Sequence, residues 1–331
     1  MSLSETLSPA RRAEARRLRA NLARLVAARL FQAVVVALIV GIVGFAMMQA
    51  LPGDAAYRIA AGRYGYDMVD AASAEAVRAQ LGLDRPAWQA LLLWIGHALT
   101  FDLGQSFVSG APVLSEVGHQ LGHSVELALA SVLVALVVAV PLGTYAGLHP
   151  GGLFDRIASG GALVLRATPT FLIAVLLILI VAVELGLAPA SGHGHGSHFI
   201  LPALTLGLAL ASVLSRVVRN AVVEAVSSEA FRFARQKGLP LSVALRRHAL
   251  RNAAVPVITY LGVQTALLLE GVVVVESVFS WPGIGHALTH AIFERDIPMV
   301  QGTALVLGLG FVLLSFLIDI TCRFIDPRLA E

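Results

Sequence analysis

The sequence predicts an all-α membrane protein with six transmembrane helices, and three observations carry that expectation. Hydrophobic residues make up 57% of the 331 and charged residues only 14%, a balance far from that of soluble domains. The apolar residues gather in runs of about 20, the length that spans the hydrocarbon core as a helix. The cations gather instead in particular connecting segments, as the rule of positive cytoplasmic loops requires.

Residues 1–29 form a basic tail and residues 30–50 the first span. Cations before an apolar run resemble a signal peptide. The run is too long, no small-residue cleavage site follows cleanly, and five more spans come after, so an uncleaved first helix is expected. Residues 51–120 are too long for a turn and too polar to span. Their sequence predicts a helix ending near Gly82, then one opened by Asp84 and Pro86. Leu91, Leu92, Trp94, Ile95, Ala98 and Leu99 give the second an apolar face for the membrane surface. Residues 121–326 form a core with five further spans, at 125–148, 157–187 with Pro169 inside, 199–218, 253–275 and 299–324, before a short tail at 327–331. Cys322, the single cysteine, excludes an intramolecular disulfide and a thiolate cluster.

Orientation follows from the cations. Eighteen of the 24 Lys and Arg residues lie in the N-terminal tail, at Arg156, in the loop around 216–251 and at the C-terminus. The opposite connections, 51–118 and 276–298, hold only Arg58, Arg63, Arg78, Arg85 and Arg295. Both termini are therefore expected in the cytoplasm. The asymmetry accounts for the positive charge without nucleic-acid binding.

Several chemistries are excluded by inspection. A phosphate-binding loop needs a lysine before Ser or Thr, and the only lysine, Lys237, precedes Gly238. No H-E-x-x-H, G-x-S-x-G or strand-to-helix G-x-G-x-x-G pattern occurs. "GQSF" at 104–107 resembles an intramembrane serine protease motif but lacks a paired histidine in a span. No catalytic residue and no cofactor within the chain are expected.

The basic loop at 224–252 has internal order. Ser227 or Ser228 can N-cap a helix beginning at Glu229, whose acid suits the helix dipole. Lys237 closes that helix, Gly238 suits a left-handed cap, and Pro240 suits the first turn of a second helix. Phe231, Ala234, Gly238, Leu241, Leu245 and Ala249 recur at helical spacing, with Arg232, Arg235, Gln236, Arg246 and Arg247 elsewhere. Such a hairpin suits either anionic lipid or another protein.

"EAFRFARQKG" followed by "LRRHALRNAAVPV" resembles the cytoplasmic coupling loop, E-A-A then three residues then Gly, of the inner-membrane permeases of bacterial ABC importers. The dipeptide, oligopeptide and nickel branch is the nearest in pattern. "LPGD", "LGLDRP", "DLGQSF", "VELALAS", "VPLG", "LPALTLG", "VVVVESVFSWPGIG", "ERDIPMVQG" and "DPRL" resemble the same branch in the same order. The resemblance implies a type I ABC importer permease fold in a bacterial inner membrane. It also implies a second homologous permease, two ABC ATPase subunits carrying ATP and Mg²⁺, and an extracytoplasmic substrate-binding protein. Glu229, Ala230 and Gly238 carry the motif, and Phe231 stands where a second alanine is expected. Ala234, Lys237, Leu241, Arg247 and His248 share the coupling segment, and Arg251, Asn252 and Pro256 match the stretch after it. The implied cargo is a peptide or a nickel or metal chelate, with glutathione-like thiols and opines also open. A self-sufficient secondary transporter or channel is the competing class. Inverted repeats would mark it, and no repeat is visible.

Arg166, Glu184 and Glu270 fall in or near spans, where a central charge costs about 2.5–3.5 kcal/mol. Glu270 and Arg166 suit either a pair joining spans five and three or the lining of a translocation path. Glu276, also a candidate for the path, opens an outward segment that continues through Trp281, Pro282, Gly283 and Gly285. By resemblance this segment shapes a periplasmic gate and binding-protein contact, and a purely structural turn is the alternative. His193, His195 and His198 have side chains suited to Ni²⁺ or Zn²⁺, or are incidental in a solvated glycine-rich loop.

Overall fold

The computed structural model describes residues 9–50, 52–83, 86–100, 102–194, 196–245 and 250–325, and every regular element among them is helical. Four helices contain uninterrupted spans: Ala23–Gly44, Val113–Leu148, Ile200–Ser227 and Ile297–Thr321. Two sharply bent helix pairs bring the number to six if each counts as one span.

The first span lies in α1 (Pro9–Ala50). The next three helices build the segment between the first two spans. Asp54 caps α2 (Ala55–Tyr64) by accepting the Ala56 N–H at 2.9 Å. Asp70 and Ser73 form a reciprocal capping box on α3 (Ala71–Leu81). Gly82, at φ 60°, ends α3 in the left-handed region, as the sequence predicts. Helix α4 (Ala87–Leu99) rests on α1: a Cβ added to Gly41 would lie 2.1 Å from the Trp94 ring. Helix α2 had no counterpart among the expected elements.

The core is a backbone-to-backbone contact between α5 (Val113–Leu148) and α8 (Ile200–Ser227). Small residues at Ser131, Ala135, Ala139, Gly143 and Gly147 line the buried side of α5. Leu129, Leu133 and Val137, four residues apart, are exposed on the other side and face lipid or a neighbouring subunit. A Cβ on Gly143 would fall 2.5 Å from the Ser215 carbonyl oxygen, and one on Gly147 2.8 Å from that of Arg219. Small residues that admit such approach are what hold membrane helices together.

The third expected span is not one helix. It divides into α6 (Leu153–Ala167) and α7 (Thr170–Leu177), bent by 104°. Pro169 has no N–H to continue the ladder and drives Thr168 into an extended conformation at ψ 125°. A wider π-type turn, Ile178–Glu184, extends α7. Asp155, buried at the start of α6, pairs with Arg219 of α8 at 2.7 Å and accepts the Gly151 N–H at 2.8 Å.

Beyond α8 lie the short helices α9 (Glu229–Gln236) and α10 (Leu241–Ala244), then α11 (Leu250–Phe279), which contains the fifth expected span. Its end turns by 78° into α12 (Ile284–Glu294). The last helix, α13 (Ile297–Ile325), packs antiparallel on α1, with Arg29 near the start of one span paired to Asp319 near the end of the other.

Gly147→Leu should therefore lower stability by at least about 2 kcal/mol through overpacking against α8. Gly118→Ala on the same helix, where a Cβ meets nothing within 4 Å, should leave it unchanged or raised by up to about 1 kcal/mol. Thermal unfolding of the detergent-solubilised variants checks both; equal melting temperatures would contradict the close contact.

Candidate functional site

The basic loop forms a hairpin at the end of the central helix α8. Ser228 makes the joint: its Oγ accepts the Phe231 N–H at 3.3 Å while its hydroxyl donates to the Ala225 carbonyl at 2.6 Å. Lys237 closes α9, Gly238 adopts φ 81°, and Pro240 precedes α10. Only glycine takes that φ without cost, and no other atom crowds its missing Cβ within 4 Å.

The hairpin has two faces. Phe231, Ala234 and Ala244 are buried in one apolar cluster with Val222 and Ala225 of α8 and Ala253 of α11. Phe233, Leu241 and Val243 are exposed by 58%, 50% and 42%. Around them stand Glu229, Ala230, Arg232, Arg235 and Lys237, all exposed. Lys237 Nζ lies 4.4 Å above the Phe233 ring, and Arg235 donates to the Leu239 carbonyl at 2.6 Å.

This corrects the expected apolar face. Leu241 and Gly238 point outward and Ala244 takes the inward place, because the turn at Gly238 and the extended Pro240 reset the helical phase. Phe233 was missed, although its position two residues from the buried Phe231, about 200° around a helix, marked it as outward. Arg247, His248, Arg246 and Ala249 lie outside the described residues. Arg251 and Asn252 open α11 with side chains outside that set, and Pro256 is exposed within the helix.

On the opposite side, the turn from α11 to α12 is closed around a buried carboxylate. Glu276, fully buried, accepts the Ser124 hydroxyl at 2.5 Å, the Gly285 N–H at 2.8 Å and the His286 N–H at 3.2 Å. Ser124 Oγ in turn accepts the Ile284 N–H at 2.8 Å. A Cβ on Gly283 would stand 1.9 Å from the Glu276 carboxylate. Trp281, next to Pro282, is buried and donates from Nε1 to the His123 carbonyl at 3.2 Å. Glu276 thus spends its acceptors inside the subunit on the first N–H groups of α12, rather than facing an open path. Gly285 is buried against Val273.

Two adjacent residues finish this outward face. Arg295 donates to the Pro52 carbonyl, and to the Gly53 carbonyl at 2.8 Å. Asp296 accepts the Ser106 hydroxyl and the Phe107 N–H, the latter at 3.0 Å. The "LPGD", "GQSF" and "ERDIP" stretches are thereby one assembly, and Ser106 is a structural donor. A charged pair set between two apolar helices was the available signal for Arg295 and Asp296.

Arg166 is exposed at the end of α6, and Glu184 is exposed where the π-type turn ends. Glu270 belongs to α11, with its side chain outside the described set. In the histidine loop, His193 stands with its ring centroid 5.1 Å from Trp281 and 4.7 Å from His123. His198 lies beside Gly192, and His195 is outside the described residues. Among the described residues no three His, Cys, Asp or Glu side chains converge as a metal-holding group.

Spans gathered on a central helix that ends in a projecting hairpin define a multi-pass helical membrane protein, and comparison with known proteins gives its family. Residues 139–331 match the binding-protein-dependent transport system inner membrane component family, and residues 22–128 match the N-terminal region of such membrane components. The glutathione transport system permease protein GsiC of Pectobacterium atrosepticum is 37% identical over 88% of this chain and 94% of its own length. Its counterpart in Escherichia coli is 35% identical over the same shares. The crystal structure of an amino acid ABC transporter with histidines superimposes with a TM-score of 0.52 at 16% identity, covering 64% of this chain and 94% of that one. The chain belongs to the family of inner-membrane permeases of binding-protein-dependent ABC importers.

Glu276→Leu should cost about 3 kcal/mol, because it leaves buried N–H groups and a hydroxyl without an acceptor. Glu276→Gln, which keeps one carbonyl oxygen, should cost less. Thermal unfolding and Trp281 fluorescence check the order; equal losses would show that the carboxylate's acceptors do not hold the turn.

Proposed function

We propose that this permease imports a small peptide-like substrate, with a glutathione-like thiol peptide the leading candidate. It does so by alternating access at an interface with a second, homologous permease. The proposal includes two ATPase subunits that bind and hydrolyse ATP with Mg²⁺ on the cytoplasmic side, and a binding protein that delivers substrate on the other. The relatives named above are glutathione permeases and favour a peptide over nickel.

The observation that carries the coupling role is the exposed face of the hairpin. Phe233, Leu241 and Val243 present apolar area within a ring of cations at the end of a buried helix. An exposed apolar patch among cations suits a protein groove as well as a lipid surface, and membership in the importer permease family favours the groove. Arginine density in this loop and in the N-terminal tail supports a cytoplasmic position for the hairpin and both termini. A self-sufficient transporter or channel would leave the hairpin's exposed apolar centre without a partner.

Co-purification tests the assembly: ATPase subunits should accompany the permease, and transport by this chain alone would overturn the proposal. Gly238→Arg forces a side chain into φ 81° at about 1–2 kcal/mol and places bulk in the contact. Phe233→Asp removes its exposed apolar centre. Both variants should insert normally and lose substrate-stimulated ATP hydrolysis and uptake, measured in reconstituted vesicles. Uptake at the unaltered rate would exclude the docking role.

A further inference from the structure

Two imidazoles converge on the end of α5 beside the Glu276 turn, far from the hairpin. His119 and His123 are four residues apart, the spacing that places side chains on one helix face. Their Nε2 atoms lie 3.3 Å apart. Two nitrogens bound to one tetrahedral Zn²⁺ at about 2.0–2.1 Å stand about 3.3 Å from each other. The two rings therefore already hold the separation a chelated ion requires.

The surroundings suit that role. The Glu126 carboxylate lies 3.9 Å from His123 Nδ1, close enough to favour a cation beside that ring. The Trp281 ring lies edge-on to that of His123 at 5.9 Å between centroids, and its indole N–H donates to the His123 carbonyl. His119 is exposed and borders an open recess of about 360 Å³ between α5 and α12, so an ion can reach the pair from water. His193, a third imidazole, has its ring beside His123 but does not converge with the pair on one point.

We propose that His119 and His123 form a two-imidazole site for a borderline divalent ion, Zn²⁺ or Ni²⁺, on the outward side of the permease. Imidazole selects these ions over Ca²⁺ and Mg²⁺. With two protein ligands the site is open, its other positions filled by water or by donor atoms of an incoming ligand, unlike the closed four-ligand sites that stabilise folds. It takes no ligand from the histidine loop at 193–198, whose His193 packs against His123, and it does not depend on the identity of the transported substrate.

The test is Zn²⁺ titration of the full chain in lipid nanodiscs against a chromophoric chelator, repeated with Ni²⁺. Loss of an outer partner alone weakens metal sites by about 10–100-fold, so His119→Ala or His123→Ala should each weaken binding at least about tenfold. The double variant should lose one equivalent of zinc, and His198→Ala should lose none. Binding should also weaken as the pH falls, because protons compete with the ion for the imidazole nitrogens. Zinc-edge X-ray absorption should show two imidazole nitrogens, and His119→Gln, at an exposed position, guards against misfolding as the cause of loss. Unaltered zinc binding in the double variant would overturn the proposal. So would an absence of bound zinc, which would make the contact an imidazole–imidazole hydrogen bond, or loss only when His193, His195 and His198 are replaced.

Discussion

The approach of α5 to α8 through Gly143 and Gly147 sets the geometry of everything else in the chain. Because the two backbones nearly touch, α8 becomes the central helix, and it also meets α6, α7, α9 and α11. A larger residue at either glycine would push α8 outward and with it each element that α8 positions. In lipid no hydrophobic force drives helix onto helix as it does in water, so close packing of small residues carries much of the association.

The same helix links the two functional ends. Its C-terminal end passes into the hairpin through a single capped residue, Ser228, so a displacement of α9 is delivered to α8 without a flexible intermediary. The Asp155–Arg219 pair ties α8 to the start of α6 near this end. At the outward end, α8 shares an apolar cluster with Leu127, Val275, Phe279 and Trp281, next to the turn closed by Glu276. Packed contacts therefore run without a break from the hairpin through α8 to the turn at Glu276.

Much of this was legible in the sequence. Four of the six spans follow from run length, and the Gly238 turn follows from the Lys-Gly-x-Pro order, because each rests on local backbone chemistry. The bend at Pro169 was visible as a proline and misread as part of one span: local chemistry shows that a helix breaks, but the angle is set by what the two halves pack against. Leu241 was placed inward by counting helical spacing across a turn that resets the count. The "GTYAG" stretch at 143–147 carried the small-residue signature of the α5–α8 contact, yet nothing local names α8 as the partner. Arg295 and Asp296 were least legible, since their partners at residues 52–53 and 106–107 are nearly 200 residues or more away in sequence.

The two ends of the molecule are held by different forces, and that difference suits a moving part. Outward, Glu276, Arg295 and Asp296 are buried and bound to backbone groups in fixed directions. Breaking any of these bonds leaves a desolvated polar group, so this face resists small distortions and moves as a unit. Inward, the hairpin is joined to the core through Phe231, Ala234 and Ala244, whose apolar contact has no preferred direction and tolerates sliding. A polar-bonded outer face and an apolar seat for the hairpin, which α8 carries along through the Ser228 joint, are what a shear between packed helices would require.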